Sequence, residues 1–83
     1  MDSYFTKVKA MLVALGADEK IITMDSDIMN DLGLSSVDVV DLIYSVETAY
    51  DIKIPENSYA ELNTVKALIE YIKDNVSPYL MEH

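Results

Sequence analysis

The feature that most constrains this fold is an apolar pattern recurring at helical spacing in three separate stretches, with breakers between them. Tyr4, Phe5, Val8, Met11, Leu12 and Leu15 form the first stripe, which follows the capping candidates Asp2 and Ser3 and stops at Gly16. Val65, Leu68, Ile69, Ile72 and Val76 form the last, opened by Asn63 or Thr64 as a cap and closed by Pro78. Between them, Ser35 to Tyr50 is ambiguous at first sight. Val40, Leu42, Tyr44 and Val46 alternate with Asp41, Ile43, Ser45 and Glu47 as a strand would. The helical template Val39, Leu42, Ile43, Val46 and Tyr50 is apolar at every position, however, and the stretch is long for one strand and contains no Gly or Pro. The spacing therefore predicts a second helix there.

The segments joining these helices differ in kind. Ala17 to Leu34 mixes Asp, Thr, Ser, Asn and Gly with isolated apolar residues, and reads as a long ordered loop pinned by Ile21, Ile22, Ile28, Met29 and Leu32. Asp51 to Pro55 reads as an extended connector, because a residue before proline is pushed out of the helical region. A short helical turn over Glu56 to Glu61 follows. The expected architecture is all-α: a small four-helix bundle of three main helices plus one short helix, with a long loop between the first and second helices. One domain is expected over residues 1–83, with its core at about 4–76 and a C-terminal tail at 77–83.

Charge narrows the partners. Fifteen acidic residues face six lysines and no arginine, a formal charge of −9, which repels nucleic acid and anionic membrane surfaces and favours basic protein surfaces. Acidity that merely confers solubility is the plainer reading. No run reaches the ~18 apolar residues of a membrane span and no leader pattern opens the chain, so a monomeric cytoplasmic protein is expected. There is no cysteine, and the one histidine is the terminal His83, so no thiolate nucleophile or His-based catalytic pair is available and no catalytic residue is expected. Asp25, Asp27 and Asp31 lie close together but fail the EF-hand spacing: counted from Asp25, Asn30 falls where glycine is needed and Ser36 where the bidentate glutamate should be. No metal site is expected.

The second helix carries more than a core stripe. At about 100° per residue, Val37, Val40 and Tyr44 form a second apolar arc, flanked by Asp41, Thr48 and Glu47, with Asp38 and Ser45 nearby. Such an arc suits docking against an apolar patch ringed by basic residues. The competing reading is that the short helical turn covers it. At the start of the helix, Ser35 with Asp38 three residues on fits a capping box, leaving Ser36 as the first helical residue.

The run Asp31-Leu32-Gly33-Leu34-Ser35-Ser36-Val37-Asp38-Val39-Val40-Asp41-Leu42 resembles the acyl carrier motif D-L-G-x-D-S-L-D-x-V-E-L. The likeness continues without a gap through the aromatic Tyr50, the I-x-I-P of Ile52 to Pro55 and the T-T-V-like Asn63-Thr64-Val65, and spans residues 4–76. The resemblance implies a carrier that catalyses nothing and bears acyl groups as thioesters on 4′-phosphopantetheine. A phosphopantetheinyl transferase would move that arm from coenzyme A onto Ser36. The absence of cysteine is consistent with a borrowed thiol. By the same resemblance Val37, Asp38, Val40, Asp41, Tyr44 and Glu47 would dock partners, namely acyl-transferring and chain-modifying synthase enzymes of fatty-acid, polyketide or related lipid biosynthesis with basic docking patches. Val39, Leu42, Ile43, Val46, Tyr50, Ile54, Leu62, Leu68 and Ile72 would line a core into which some carriers tuck the chain.

Three departures from the motif bear on partner choice: Ser35 stands for the usual acid, Val37 for the usual leucine, and Thr48 where another acid is common. They point toward a dedicated polyketide or modified-lipid carrier. A peptidyl carrier usually shows a G-G-[HD]-S lead-in, which Gly33-Leu34-Ser35-Ser36 does not match. The alternative class is an acidic helical interaction module that is never modified, with Ser35 and Ser36 serving only as a cap and its neighbour.

Overall fold

The computed structural model describes residues 3–76. The proposed Asp2 cap, the Pro78 stop, the tail at 77–83 and His83 lie outside them. Three α-helices carry the fold: α1 (Ser3–Ala14), α2 (Ser36–Tyr50) and α3 (Val65–Asn75), with short 3-10 helices at Glu19–Ile21 and Glu56–Glu61 and no strand among the described residues. α1 packs against both α2 and α3. Its Val8 and Leu12 meet Leu42, Ile43 and Val46 of α2 and Val65, Leu68, Ile69 and Ile72 of α3 in one core, each of these almost fully buried. Burying a side chain of this kind stabilises by about 1.5–3 kcal/mol, so the three stripes together supply the main force that closes the bundle.

Tyr50 and Tyr4 finish one end of the core, their rings stacked with centroids 5.6 Å apart. Lys7 Nζ lies 5.5 Å from the Tyr50 ring centroid and Lys73 Nζ 5.6 Å from that of Tyr4. The aromatic pair is thus flanked by cations from α1 and α3, which attract the negative ring faces while their stems cover apolar surface. α2 ends at Asp51, held in the left-handed region at φ 55, from which its N–H reaches Glu47 O. Aspartate tolerates that conformation better than most residues, and it turns the chain into the extended connector. Ile52 and Ile54 of the connector are buried, as is Leu62 after the short helix.

The long loop is ordered by a different set of contacts from the one expected. Ile22, Ile28 and Leu32 are buried as the sequence predicts, together with Ala17 and Leu34, but Ile21 and Met29 stay 49% and 47% exposed. Backbone pairing completes the attachment. Ile28 N–H donates to Asn63 O at 2.9 Å, while Val65 N–H and Lys66 N–H donate to Ser26 O at 3.1 Å and Met24 O at 2.8 Å. The loop thereby closes an antiparallel bridge between Asp27 and Thr64 and supplies acceptors for the first two N–H groups of α3. Thr64 Oγ1 accepts the third, from Ala67, at 3.1 Å. Of the two cap candidates Asn63 and Thr64, the hydroxyl is the one used.

The loop's clustered carboxylates hold its own turn. Asp27 Oδ1 accepts the N–H groups of Met29 and Asn30, and Asp31 Oδ2 accepts that of Asp27. Ser26, a buried polar residue, is fully engaged: its hydroxyl donates to Ile21 O at 3.1 Å and accepts the Thr23 N–H at 3.0 Å. Neighbouring loop residues therefore differ sharply in what they contribute. Ile28→Ala is expected to lower unfolding free energy by about 2–5 kcal/mol, whereas Met29→Ala changes it by less than about 0.5 kcal/mol. Urea denaturation of the two variants checks the contrast, and equal losses would show that the loop is anchored differently.

Candidate functional site

The two adjacent serines begin α2, and hydrogen bonding separates their roles. Ser35 is the N-cap, extended at φ −83 and ψ 171. Its Oγ accepts the Asp38 N–H at 3.2 Å and donates to Asp38 Oδ2 at 3.1 Å, while its N–H donates to the same Oδ2 at 3.0 Å. The capping box read from the spacing is therefore present, and it engages the Ser35 hydroxyl in both directions. Ser36, the first helical residue, is exposed, and its hydroxyl takes part in no hydrogen bond among the described residues.

The ends of α2 and α3 form a contrast that matters here. At α3 the first three N–H groups all have acceptors, whereas at α2 only Asp38 N–H does, and the N–H groups of Ser36 and Val37 have none among the described residues. Two open donors and the positive end of the helix dipole lie beside a nucleophilic hydroxyl that no neighbour occupies. A phosphodiester on Ser36 Oγ fits this surrounding: Ser36 and Val37 N–H can face its oxygens, and the chain needs no arginine to hold it.

The second apolar arc is exposed. Val37, Val40 and Tyr44 have 68%, 52% and 71% of their surface open, and the short helix Glu56–Glu61 does not cover them. Their spacing places them on one face of α2, which carries no lysine. The acids beside them are not equivalent. Asp41 is exposed and takes no hydrogen bond among the described residues. Asp38 is half-buried in the capping box. Glu47, also half-buried, accepts the Ile54 N–H at 2.7 Å and so ties α2 to the connector. Thr48, at the edge of the arc, donates its hydroxyl back to Tyr44 O at 3.0 Å. A groove of about 330 Å³, lined by Tyr44, Glu47, Thr48, Asp51, Ile52 and Lys53, lies at the foot of the arc.

Comparison with known proteins decides the class. A family model described as a phosphopantetheine attachment site matches residues 8–72, which include both serines. An acyl carrier protein of Treponema denticola is 39% identical over 74 residues, covering 88% of this chain and 95% of that protein. One of Treponema pallidum is 36% identical over 78 residues, covering 93% and 100%, and one of Syntrophobacter fumaroxidans is 39% identical over 61 residues, covering 74% and 75%. This chain belongs to the acyl carrier protein family. It is a carrier and not an enzyme, and its cofactor is 4′-phosphopantetheine. Such a carrier meets a transferase that installs the arm and synthases that use it.

Two features of the carrier's site escaped the reading of its sequence. The tie from Glu47 to Ile54 spans seven residues and has no periodic signature, and the sealing of α3 comes from loop carbonyls, which every residue has. The only prior signal was Pro55, which forces Ile54 to be extended and leaves its N–H without a local acceptor. Glu47→Ala is expected to speed amide exchange at Ile54 by roughly tenfold or more, the effect of losing a hydrogen bond to a charged group. Hydrogen exchange followed by NMR measures it, and unchanged protection at Ile54 would show that the connector is held by its buried isoleucines alone.

Proposed function

We propose that the chain carries acyl intermediates as thioesters on an arm attached to Ser36 Oγ, and delivers them as a cytoplasmic monomer to enzymes of fatty-acid, polyketide or related lipid biosynthesis. The observation that carries the choice of atom is the hydroxyl of Ser36, unengaged beside open N–H groups, next to a Ser35 hydroxyl engaged twice by Asp38. In the loading step the Ser36 oxygen attacks the coenzyme A phosphorus that bears the pantetheine arm. The bond from that phosphorus to the bridging oxygen breaks, adenosine 3′,5′-bisphosphate leaves, and the serine proton passes to a base on the transferase. The arm's thiol then tethers each intermediate, raising its effective concentration at whichever enzyme the carrier has docked.

Docking falls to the exposed face of α2. Val37, Val40 and Tyr44 supply an apolar patch that costs little to desolvate, and Asp41 supplies a charge for a basic partner. Asp38 and Glu47 border the same face, with their carboxylates turned to internal hydrogen bonds. Ser35, Val37 and Thr48 make this surface less acidic and differently shaped from the common motif, which supports dedicated partner enzymes over a housekeeping set.

Loading with coenzyme A, magnesium and a broad-specificity transferase tests the attachment. Ser35→Ala is expected to load, with stability lowered by about 1 kcal/mol from the lost cap, and Ser36→Ala is expected not to load. Adduct mapped to Ser35 by peptide mass spectrometry would reverse the assignment.

For docking, Asp41→Lys is expected to slow acyl transfer by a partner synthase by about three- to tenfold, with the wild-type rate falling as salt rises. Tyr44→Ala is expected to weaken partner binding while thermal stability stays within about 0.5 kcal/mol of wild type. Unchanged transfer in both variants would remove this face from the interface.

A further inference from the structure

The position of Asp38 fits a task other than docking. Its Oδ2 accepts both the N–H and the hydroxyl of Ser35, at 3.0 and 3.1 Å, and its own N–H returns to Ser35 Oγ at 3.2 Å. Oδ1 takes no hydrogen bond among the described residues. The Ser35 carbonyl is engaged as well, accepting the Val39 N–H at 3.0 Å. Every polar group of the residue preceding Ser36 is therefore fixed, three of the four contacts running through Asp38.

Little else restrains the first turn of α2. The N–H groups of Ser36 and Val37 are open, both side chains are exposed, and the chain arrives through Gly33, which is in the left-handed region at φ 72. Buried Leu34 and the Gly33 N–H bond to Met29 O, at 3.1 Å, anchor the approach on that side. Without the box, the turn that presents the Ser36 hydroxyl keeps the Val39 N–H bond to the Ser35 carbonyl but loses the side-chain hydrogen bonds at its start, and helix ends fray when their donors are unpaired.

We propose that Asp38 is a positioning residue for the modification of Ser36: acting through Ser35, it holds the first turn of α2 so that the hydroxyl meets the transferase-bound coenzyme A in one geometry. This rests on Ser36 being the attachment site. It assigns the acids of α2 to separate tasks, with Asp41, exposed and unengaged among the described residues, left to meet basic partners.

The two roles ask different things of the Asp38 side chain. Positioning needs one oxygen at the place of Oδ2, which asparagine keeps, while docking needs the charge, which asparagine lacks. Loading of Asp38→Ala, Asp38→Asn and Ser35→Ala is followed with coenzyme A, magnesium and a purified broad-specificity transferase. Low and high salt are compared at a temperature where circular dichroism shows each protein folded. Asp38→Ala is expected to lower kcat about tenfold with KM for the carrier within about twofold, the signature of a misplaced reacting group. Asp38→Asn is expected to restore kcat with an unaltered salt dependence. Ser35→Ala, which keeps the bond from its N–H to Oδ2, is expected to fall between, and it preserves the test if Asp38→Ala does not fold.

An Asp38→Asn protein with raised KM and a flattened salt dependence would show a charge contact with the transferase and overturn the proposal. So would wild-type kcat in Asp38→Ala, or in both Asp38→Asn and Ser35→Ala when Asp38→Ala does not fold. Adduct missing from wild type, or mapped away from Ser36, would instead overturn the attachment site on which the proposal stands.

Discussion

Helix α2 has more apolar surface than this bundle can cover. One face, Leu42, Ile43, Val46 and Tyr50, is needed for the core, because α1 and α3 have no other apolar partner of comparable length. Turning the helix to bury Val37, Val40 and Tyr44 would expose that face, at a cost of about 1.5–3 kcal/mol for each large side chain brought out. The exposed arc is thus held in place by the stability of the core beneath it. Covering it would take a further element, and the short helix after Pro55 lies elsewhere. For the docking role proposed for this face, the arrangement supplies an apolar patch without a conformational change.

The same division appears at the helix ends. Loop carbonyls and Thr64 satisfy the start of α3, whereas α2 starts with a box that closes on Ser35 and Asp38 and leaves its first two N–H groups open. The loop is what makes the difference. Anchored through Ile22, Ile28 and Leu32, it runs beside the start of α3, where its carbonyls accept the first N–H groups, then releases the chain at Gly33 so that α2 begins in solvent. A structural end and an open end result from one loop, and the open end is where the exposed serine stands.

How much of this could be read beforehand depended on whether the determining interaction is local. The limits of α2, the Ser35–Asp38 box and the order of the elements were legible, because caps and helical stripes act within four residues of sequence. The helical stripes were legible for the same reason, although Tyr4, Phe5, Met11 and Leu15 of the first and Val39 of the second are only partly buried. The loop was legible only by half. Without a repeating backbone geometry there is no period to say which of Ile21 and Ile22, or of Ile28 and Met29, turns inward, and one of each pair is exposed. The second arc of α2 was visible as a stripe, but periodicity says which residues share a face and not how many neighbours will arrive to cover it. Its exposure emerged only from the packing. Glu47 was legible as an acid and not as a hydrogen-bond acceptor, because the group that engages it is a backbone N–H seven residues away, which sequence does not distinguish.

The central claim is that this domain presents Ser36 as the anchor of a covalent arm. The most direct measurement is the intact mass of the wild-type chain after incubation with coenzyme A, magnesium and an active transferase, followed by fragmentation to place the adduct. The account predicts a single phosphopantetheine per chain, carried on the side chain of residue 36. A chain that keeps its unmodified mass while another carrier in the same tube is fully converted would contradict it.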